Sequence, residues 1–310
     1  MSAPHYILRN YRPDDFNSYV QLHVEAERLD GAGYCTSPRV LREGLGRPNY
    51  SPESDLFVAE AGGKVIGYMN VTPELGIGRV VLNCLVHPEY RRKGLATRLY
   101  YDAERRASSL GARVVQGSIP GDNVAARNLL SGLGFRLARR FLELRLELSE
   151  VEMVDAKHIA LDCRPLRRGE EDKLVEIQNR SFAGTWGYHP NTVEEIAYRV
   201  GLSDCCLEGI ILVYEGGQPV GYCWATIDVA GNTAAGTRKG RIHMLGVVPD
   251  HRGKGLGRRA LLAGLSYLGG RGIEVVEVTV DSENKEAYAL YESVGFKIWS
   301  TTAWYEKTLD

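Results

Sequence analysis

The amino-acid sequence predicts an α/β protein made of two similar domains in tandem, each a mixed, mostly antiparallel sheet flanked by helices. Three observations carry this. The chain has 310 residues, enough for two domains of ordinary size. Pro88 and Pro249 lie 161 residues apart (249 − 88), and the same spacing pairs Arg91 with Arg252, Gly94 with Gly255, Asn123 with Asn284, Ala126 with Ala287, and Gly134-Phe135 with Gly295-Phe296. Strand-like and helix-like runs then follow one another in the same order in both copies.

In the first copy Tyr6–Asn10 reads as a short strand, followed by helices near Asp14–Arg28 and Pro38–Leu45. Leu56–Ala61 and Lys64–Asn70 are alternating apolar runs split by Gly62-Gly63, a hairpin signal. Val80–Val86 is rich in β-branched residues, and Gly94–Leu110 has apolar residues at helical spacing. A strand at Arg113–Ser118, a helix at Asn123–Leu130 and one or two closing strands in Arg136–Leu148 complete the copy. The second copy repeats this, with strands at Ile210–Tyr214, Gly221–Asp228, Ile242–Val248 and Glu274–Val280. Upstream the spacing shortens, so the second copy gains residues in Ala230–Gly236. The expected boundary falls near Ser149–Lys157, giving domains of residues 1–150 and 151–310.

Composition narrows the function. Lys+Arg is 38 and Asp+Glu 39, a net charge of −1, which argues against a nucleic-acid binder, since that would need a basic excess. No apolar run is long enough to span a membrane. The opening MSAPHYILRNYRPDDF has no secretory signal pattern. The six cysteines form no CxxC pair, and adjacent Cys205-Cys206 lacks metal-ligand spacing. Reduced thiols, no metal and a cytoplasmic location are expected.

In each copy a strand runs into Pro, basic residues, closely spaced Gly and a helix: Val86 to Arg91-Arg92-Lys93-Gly94-Leu95-Ala96, and Val248 to Arg252-Gly253-Lys254-Gly255-Leu256-Gly257. Glycine admits close backbone approach, and a helix N-terminus offers unpaired N–H groups and partial positive charge, which suits a pyrophosphate. No GxxxxGK[ST] occurs, and the glycines do not open a first βαβ unit, so a nicotinamide site is only a weak rival.

These loops resemble the GNAT superfamily of N-acetyltransferases, whose signature is Arg or Gln, two residues, Gly, one residue, then Gly or Ala. The match extends to Asn284, Ala287, Tyr291 and Gly295-Phe296, and spans both halves. The resemblance implies two tandem GNAT (acyl-CoA N-acyltransferase) domains, acetyl-CoA as cosubstrate, and donor contacts at Leu245, Gly246, Val247, Val248 and the Gly loop. Asn179-Arg180-Ser181-Phe182 and Leu245-Gly246-Val247 further resemble the mycothiol synthase subfamily, tandem GNATs that acetylate the cysteinyl amine of a glucosaminyl-inositol conjugate.

The resemblance places a general acid at Tyr291, whose position in the first copy is Leu130. It implies a backbone N–H near Leu245–Val247 as oxyanion donor. Strand alternation puts Arg241, His243 and Leu245 on one face. Mycothiol synthase-like enzymes carry Glu at the position of Arg241, and Arg stays protonated. His243, two residues later, stands where some arylalkylamine-acetylating GNATs place a histidine base, so the resemblance makes it the candidate base, expected to titrate near ~6.5. At the same spacing Val80 and Leu82 are apolar, so the first half is expected to be degenerate and the second catalytic. Trp186, Tyr188 and His189, with Tyr222, Trp224 and Asp228 on the third strand and Glu283, are candidates for the acceptor pocket. The expected reaction is acetyl transfer to a small-molecule primary amine by direct attack. A protein or peptide α-amine is the alternative acceptor, and a non-catalytic acyl-CoA sensor or scaffold the alternative function.

Overall fold

The computed structural model describes residues 6–30, 37–151 and 162–309. Its strands in chain order are β1 (Ile7–Asn10), β2 (Leu56–Ala61), β3 (Lys64–Glu74), β4 (Arg79–Val86), β5 (Val114–Pro120), β6 (Arg136–Glu147), β7 (Cys163–Pro165), β8 (Ile210–Glu215), β9 (Gln218–Thr226), β10 (Lys239–Val247), β11 (Val275–Asp281) and β12 (Lys297–Thr308). The helices are α1 (Phe16–Asp30), α2 (Pro38–Leu45), α3 (Pro52–Asp55), α4 (Leu95–Ser109), α5 (Val124–Gly132), α6 (Glu171–Phe182), α7 (Val193–Val200), α8 (Val229–Ala235), α9 (Leu256–Gly270) and α10 (Lys285–Val294). The expected elements are present. The one-turn α3 has no apolar period to reveal it. The residues that the second copy gains form α8, with Asp228 as N-cap and Gly236 as C-cap. Among the described residues no helix is long and apolar enough to cross a membrane.

The chain forms two compact units, Met1–Arg139 with Thr302–Asp310, and Arg140–Thr301. They do not divide near residue 150. Residues 141–147 of β6 pair with β11, and residues 302–308 of β12 pair with β5. Each copy's closing strand therefore hydrogen-bonds in the other copy's unit, because the ladders require partners that the local sequence does not specify. Of the expected linker, residues 152–157 lie outside the described residues.

In the first unit β1, β2, β3 and β4 run antiparallel in order; β4 pairs parallel with β5, and β5 antiparallel with β12. In the second unit β7, β8, β9 and β10 are antiparallel; β10 pairs parallel with β11, and β11 antiparallel with β6. Parallel neighbours need a crossover, which α4 and α9 supply. α4 buries Leu95, Leu99, Tyr100, Ala103 and Ala107, and α1 buries Tyr19, Leu22 and Ala26. In the second unit one core joins Leu256, Leu261 and Leu265 of α9, Leu174 and Ile177 of α6, and Tyr222, Trp224, Val276 and Val278 of the sheet. α9 lies close on β9 because Gly264 leaves room for the Cys223 thiol.

A chain ending at Thr301 lacks the strand that covers β5. The exposed β5 edge and the lost burial of Ala303 and Tyr305 should lower the first unit's melting temperature and promote aggregation. Differential scanning calorimetry with light scattering checks this; an unchanged first transition would show that β12 is dispensable there.

Candidate active site

The parallel ladder between β10 and β11 runs from Lys239↔Val275 to Ile242↔Val278 and stops there. Beyond it, Met244–Val247 pair with β9 and Thr279–Asp281 with β6. Two adjacent strands thus part and leave facing backbone edges. The first unit opens in the same way after Leu82↔Gly117.

β10 carries an irregularity that β4 lacks. Ile242 faces Ala225 and Met244 faces Trp224, so His243 is an extra residue, a β-bulge. The β3·β4 ladder runs unbroken from Gly67↔Val86 to Glu74↔Arg79. The bulge corrects the alternation expected for this strand. Leu245 lies opposite Cys223, whose thiol packs at Gly264 of α9. Met244 instead turns to α6, where its sulfur accepts from Gln178 Nε2 at 2.8 Å. Arg241 and His243 share the α6 face, but Leu245 does not. The bulge also corrects the comparison of the copies. Arg241 lies beside Glu277 as Val81 lies beside Gln116, so Val81, not Val80, is its counterpart, and His243 has none.

His243 meets Trp224 edge-on, with centroids 5.2 Å apart and planes at 73°. His243 is exposed. Desolvation by the protein packed around it, then the charges of Arg199 and Arg241, lowers its pKa from 6.5 to about 4, below the ordinary value expected. Arg241 hydrogen-bonds Thr279 and lies 3.6 Å from Glu143, to which Thr279 donates at 2.7 Å.

Tyr291 is 5% exposed in the second unit's core, edge-on to Phe296 at 5.6 Å. Burial holds its hydroxyl well above the ordinary tyrosine value. Leu130, its counterpart, packs against the first unit's core.

At the mouth of the opening, Gly255 is the N-cap of α9 with φ 78° and ψ 0°, and Gly94 holds the same place before α4 with φ 75° and ψ 5°. Neither helix has a side-chain cap, so first-turn N–H groups face outward. Gly253 has φ 74°, and Arg92 keeps that left-handed conformation at φ 62° without glycine's freedom.

The basic side chains of the loops bond within the protein. Arg252 donates from Nε to the Val247 carbonyl at 3.1 Å and from Nη2 to the Ser181 carbonyl at 2.7 Å, tying loop to α6. Lys254 pairs with Glu215 at 2.9 Å. Arg91 donates to Val86 O at 2.9 Å and to both oxygens of Asp30 at 2.8 and 2.6 Å, and Lys93 to Glu89 O at 2.8 Å. Leu95 and Leu256 are core residues, so at these positions only backbone faces the loop's exterior. Val248 N–H is taken by Val220 O at 2.9 Å, which removes Val248 as a backbone donor to a ligand. Asn284 and Ala287 form the N-terminal cap of α10, the Asn284 side chain accepting from Ala287 N–H at 3.1 Å; Asn123 and Ala126 do the same at 3.0 Å.

The acceptor candidates separate. Tyr222 and Trp224 are buried, 0% and 2% exposed, with Trp224 packed against His243 and the Tyr222 ring beside Gly246. Tyr188 stacks on Phe182 at 5.3 Å, donates to Asn179 Oδ1 at 2.8 Å and accepts from Asn191 Nδ2 at 3.0 Å. Trp186 lies 6.1 Å from the Phe141 ring. Asp228 is corrected: β9 ends at Thr226, and the carboxylate caps α8 through Gly231 N–H at 2.8 Å. Glu283 sits in the turn before α10, its N–H held by Asp281 at 3.0 Å. Sequence reasoning missed Arg199 and the bulge. The signal for the bulge was the α9-facing series Gly240, Ile242, Leu245, Val247, whose period of two slips once.

A pantetheine arm has the peptide groups to bridge parted strands, and a pyrophosphate suits the uncapped helix. The residues fit. Ser181 Oγ is buried without a hydrogen bond beside Gly246, where a Cβ would come within 2.8 Å of Ser181 Cβ. The Acetyltransferase (GNAT) family model matches the chain twice, over residues 18–135 and 172–296. The chain belongs to the GNAT family. As a GNAT acetyltransferase it transfers an acetyl group from an acyl-CoA-type donor to an amine. It is 30% identical over 294 residues to the mycothiol acetyltransferase of Stackebrandtia nassauensis, covering 92% of this chain and 93% of that relative. The GCN5-related N-acetyltransferase of Sphaerobacter thermophilus shares the fold with TM-score 0.72 and 22% identity, over 98% of this chain and 95% of that one. A tandem GNAT protein from the clavulanic acid pathway aligns with TM-score 0.69 and 16% identity, over 98% of both chains.

The depressed His243 pKa has a sign. Its folded value lies below the ordinary 6.5, so the unfolded chain takes up the proton first. The stability tied to the neutral ring is full above about 6.5 and is lost as pH falls toward 4. NMR titration should place the His243 midpoint near 4; a midpoint near 6.5 would mean that the ring is not enclosed.

Proposed function

We propose that the second unit transfers acetyl from acetyl-CoA to the primary amine of a small molecule, and that the first unit performs no chemistry. The bulge at His243 carries this reading. It is present in β10 and absent from β4, and it sits where β10 and β11 part. A bulge frees backbone groups from the ladder, so an N–H here can meet the oxygen that gains charge on the thioester carbonyl.

The amine attacks the carbonyl carbon directly; a C–N bond forms and the C–S bond breaks. His243, neutral above about pH 4, takes the amine proton directly or through water. Tyr291 gives its hydroxyl proton to the leaving sulfur. Burial raises the proton affinity of the phenol and of a thiolate formed beside it alike, which keeps the two matched. Gly255 and the uncapped start of α9 hold the donor's pyrophosphate through backbone N–H groups. The likeness to mycothiol acetyltransferases supports a small-molecule amine.

An acceptor screen with acetyl-CoA, read by free thiol release, tests the reading; no turnover of any amine would end it. Tyr291→Phe removes one hydroxyl and keeps the ring. Turnover should fall roughly 10²–10⁴-fold with acetyl-CoA binding nearly intact. Gly255→Asp forces a carboxylate and a Cβ into a left-handed position facing the phosphates, so calorimetry should record a sharp loss of acetyl-CoA affinity. Gly94→Asp should cost little turnover. The opposite ranking of the two glycine variants would assign the chemistry to the first unit.

A further inference from the structure

We propose that the amine acetylated by the second unit also carries an anionic group, a carboxylate or phosphate, and that Arg241 and Arg199 bind it. This rests on the second unit being the catalytic one. Arg241 lies two residues before the bulged His243 on the same face of β10, opposite Thr226 on β9. Strand residues at that separation are about 7 Å apart, well within the reach of an arginine toward a substrate whose amine sits at His243. The Arg241 side chain is 42% exposed. Its bonds to Thr279 and Glu143 run through Nη2, so among the described residues its Nε and Nη1 donors remain for a ligand. Arg199 stands in the last turn of α7, exposed, with no carboxylate within ion-pair distance among the described residues. It is close enough to His243 and to Tyr188 for its charge to bear on both.

Arg241 thus stands beside His243 on β10, paired with Glu143, and the charge of Arg199 reaches the same imidazole. A guanidinium fork matches the planar oxygens of a carboxylate or the oxygens of a phosphate, and a charged hydrogen bond contributes about 1.5–3 kcal/mol. The first unit has Val81 where the second has Arg241, so this recognition is absent from the copy that lacks the bulge.

The experiment uses the full-length chain, acetyl-CoA and matched acceptors: L-amino acids against their carboxamides, and O-phosphoethanolamine against ethanolamine, with glucosamine as a neutral sugar amine. The anionic member of at least one pair should be preferred by about 10-fold or more in kcat/KM, mainly through KM. The responding pair identifies the anion as carboxylate or phosphate. Arg199→Ala and Arg241→Ala should each collapse that preference toward unity, and Arg241→Lys should restore part of it. Arg199 is exposed, so its variant does not depend on the core. Turnover of glucosamine or the neutral members without preference for the anionic ones would overturn the inference and leave the acetyltransferase reading standing. No turnover of any amine, with acetyl-CoA still bound, would overturn both. A preference that survives both alanine variants would also overturn it.

Discussion

The site depends on where one parallel ladder stops. Backbone N–H and C=O groups inside a sheet need partners, and two adjacent strands that part must leave some of theirs to something else. In both units the ladder ends at equivalent rungs, Ile242↔Val278 and Leu82↔Gly117. β9 and β6 hold the diverging ends of β10 and β11 from outside, so the opening is supported by the sheet around it. The helix that follows starts with a left-handed glycine and no side-chain cap. Sheet and helix together offer backbone hydrogen bonds at both ends of a long, thin donor, and this leaves the side chains nearby for other work. Arg252 shows the division: its guanidinium joins the end of β10 to α6.

Along β10 a single inserted residue separates the two copies. Upstream and downstream of His243 the strands correspond, and the difference of one position between Arg241/Val81 and the later pairs is the bulge itself. An insertion in a strand ordinarily flips every side chain beyond it to the other face. Here the bulge absorbs the insertion within one step: Leu245 and Val247 return to the α9 face while His243 and Met244 both face α6. An imidazole is thereby added on the α6 side without displacing the apolar face behind it.

The duplication, the order of the elements and the Gly loops were legible in the sequence because each leaves a local pattern: a constant spacing, a change of period, a glycine where φ must be positive. The candidacy of Tyr291 as the acid rests on a motif and on the contrast with Leu130. Other features were not legible for physical reasons. The exchange of β6 and β12 is a long-range pairing, and nothing in Arg136–Glu147 or Lys297–Thr308 marks the partner. Alternation misplaced Leu245 because strand parity cannot see a bulge. Asp228 read as a strand residue because a cap and a strand end look alike until the following helix is known. The surroundings of His243, the charges of Arg199 and Arg241 among them, belong to the tertiary structure.

The exchanged closing strands bear on how such a chain is inherited. A duplicated gene can usually be divided again at the join, and a copy that loses its chemistry can decay or be deleted. Here the last residues of the chain complete the sheet of the first unit, and residues from before the join complete the sheet of the second. Neither copy's reading frame encodes a whole fold. The first copy is therefore a physical component of the enzyme whether or not it reacts with anything.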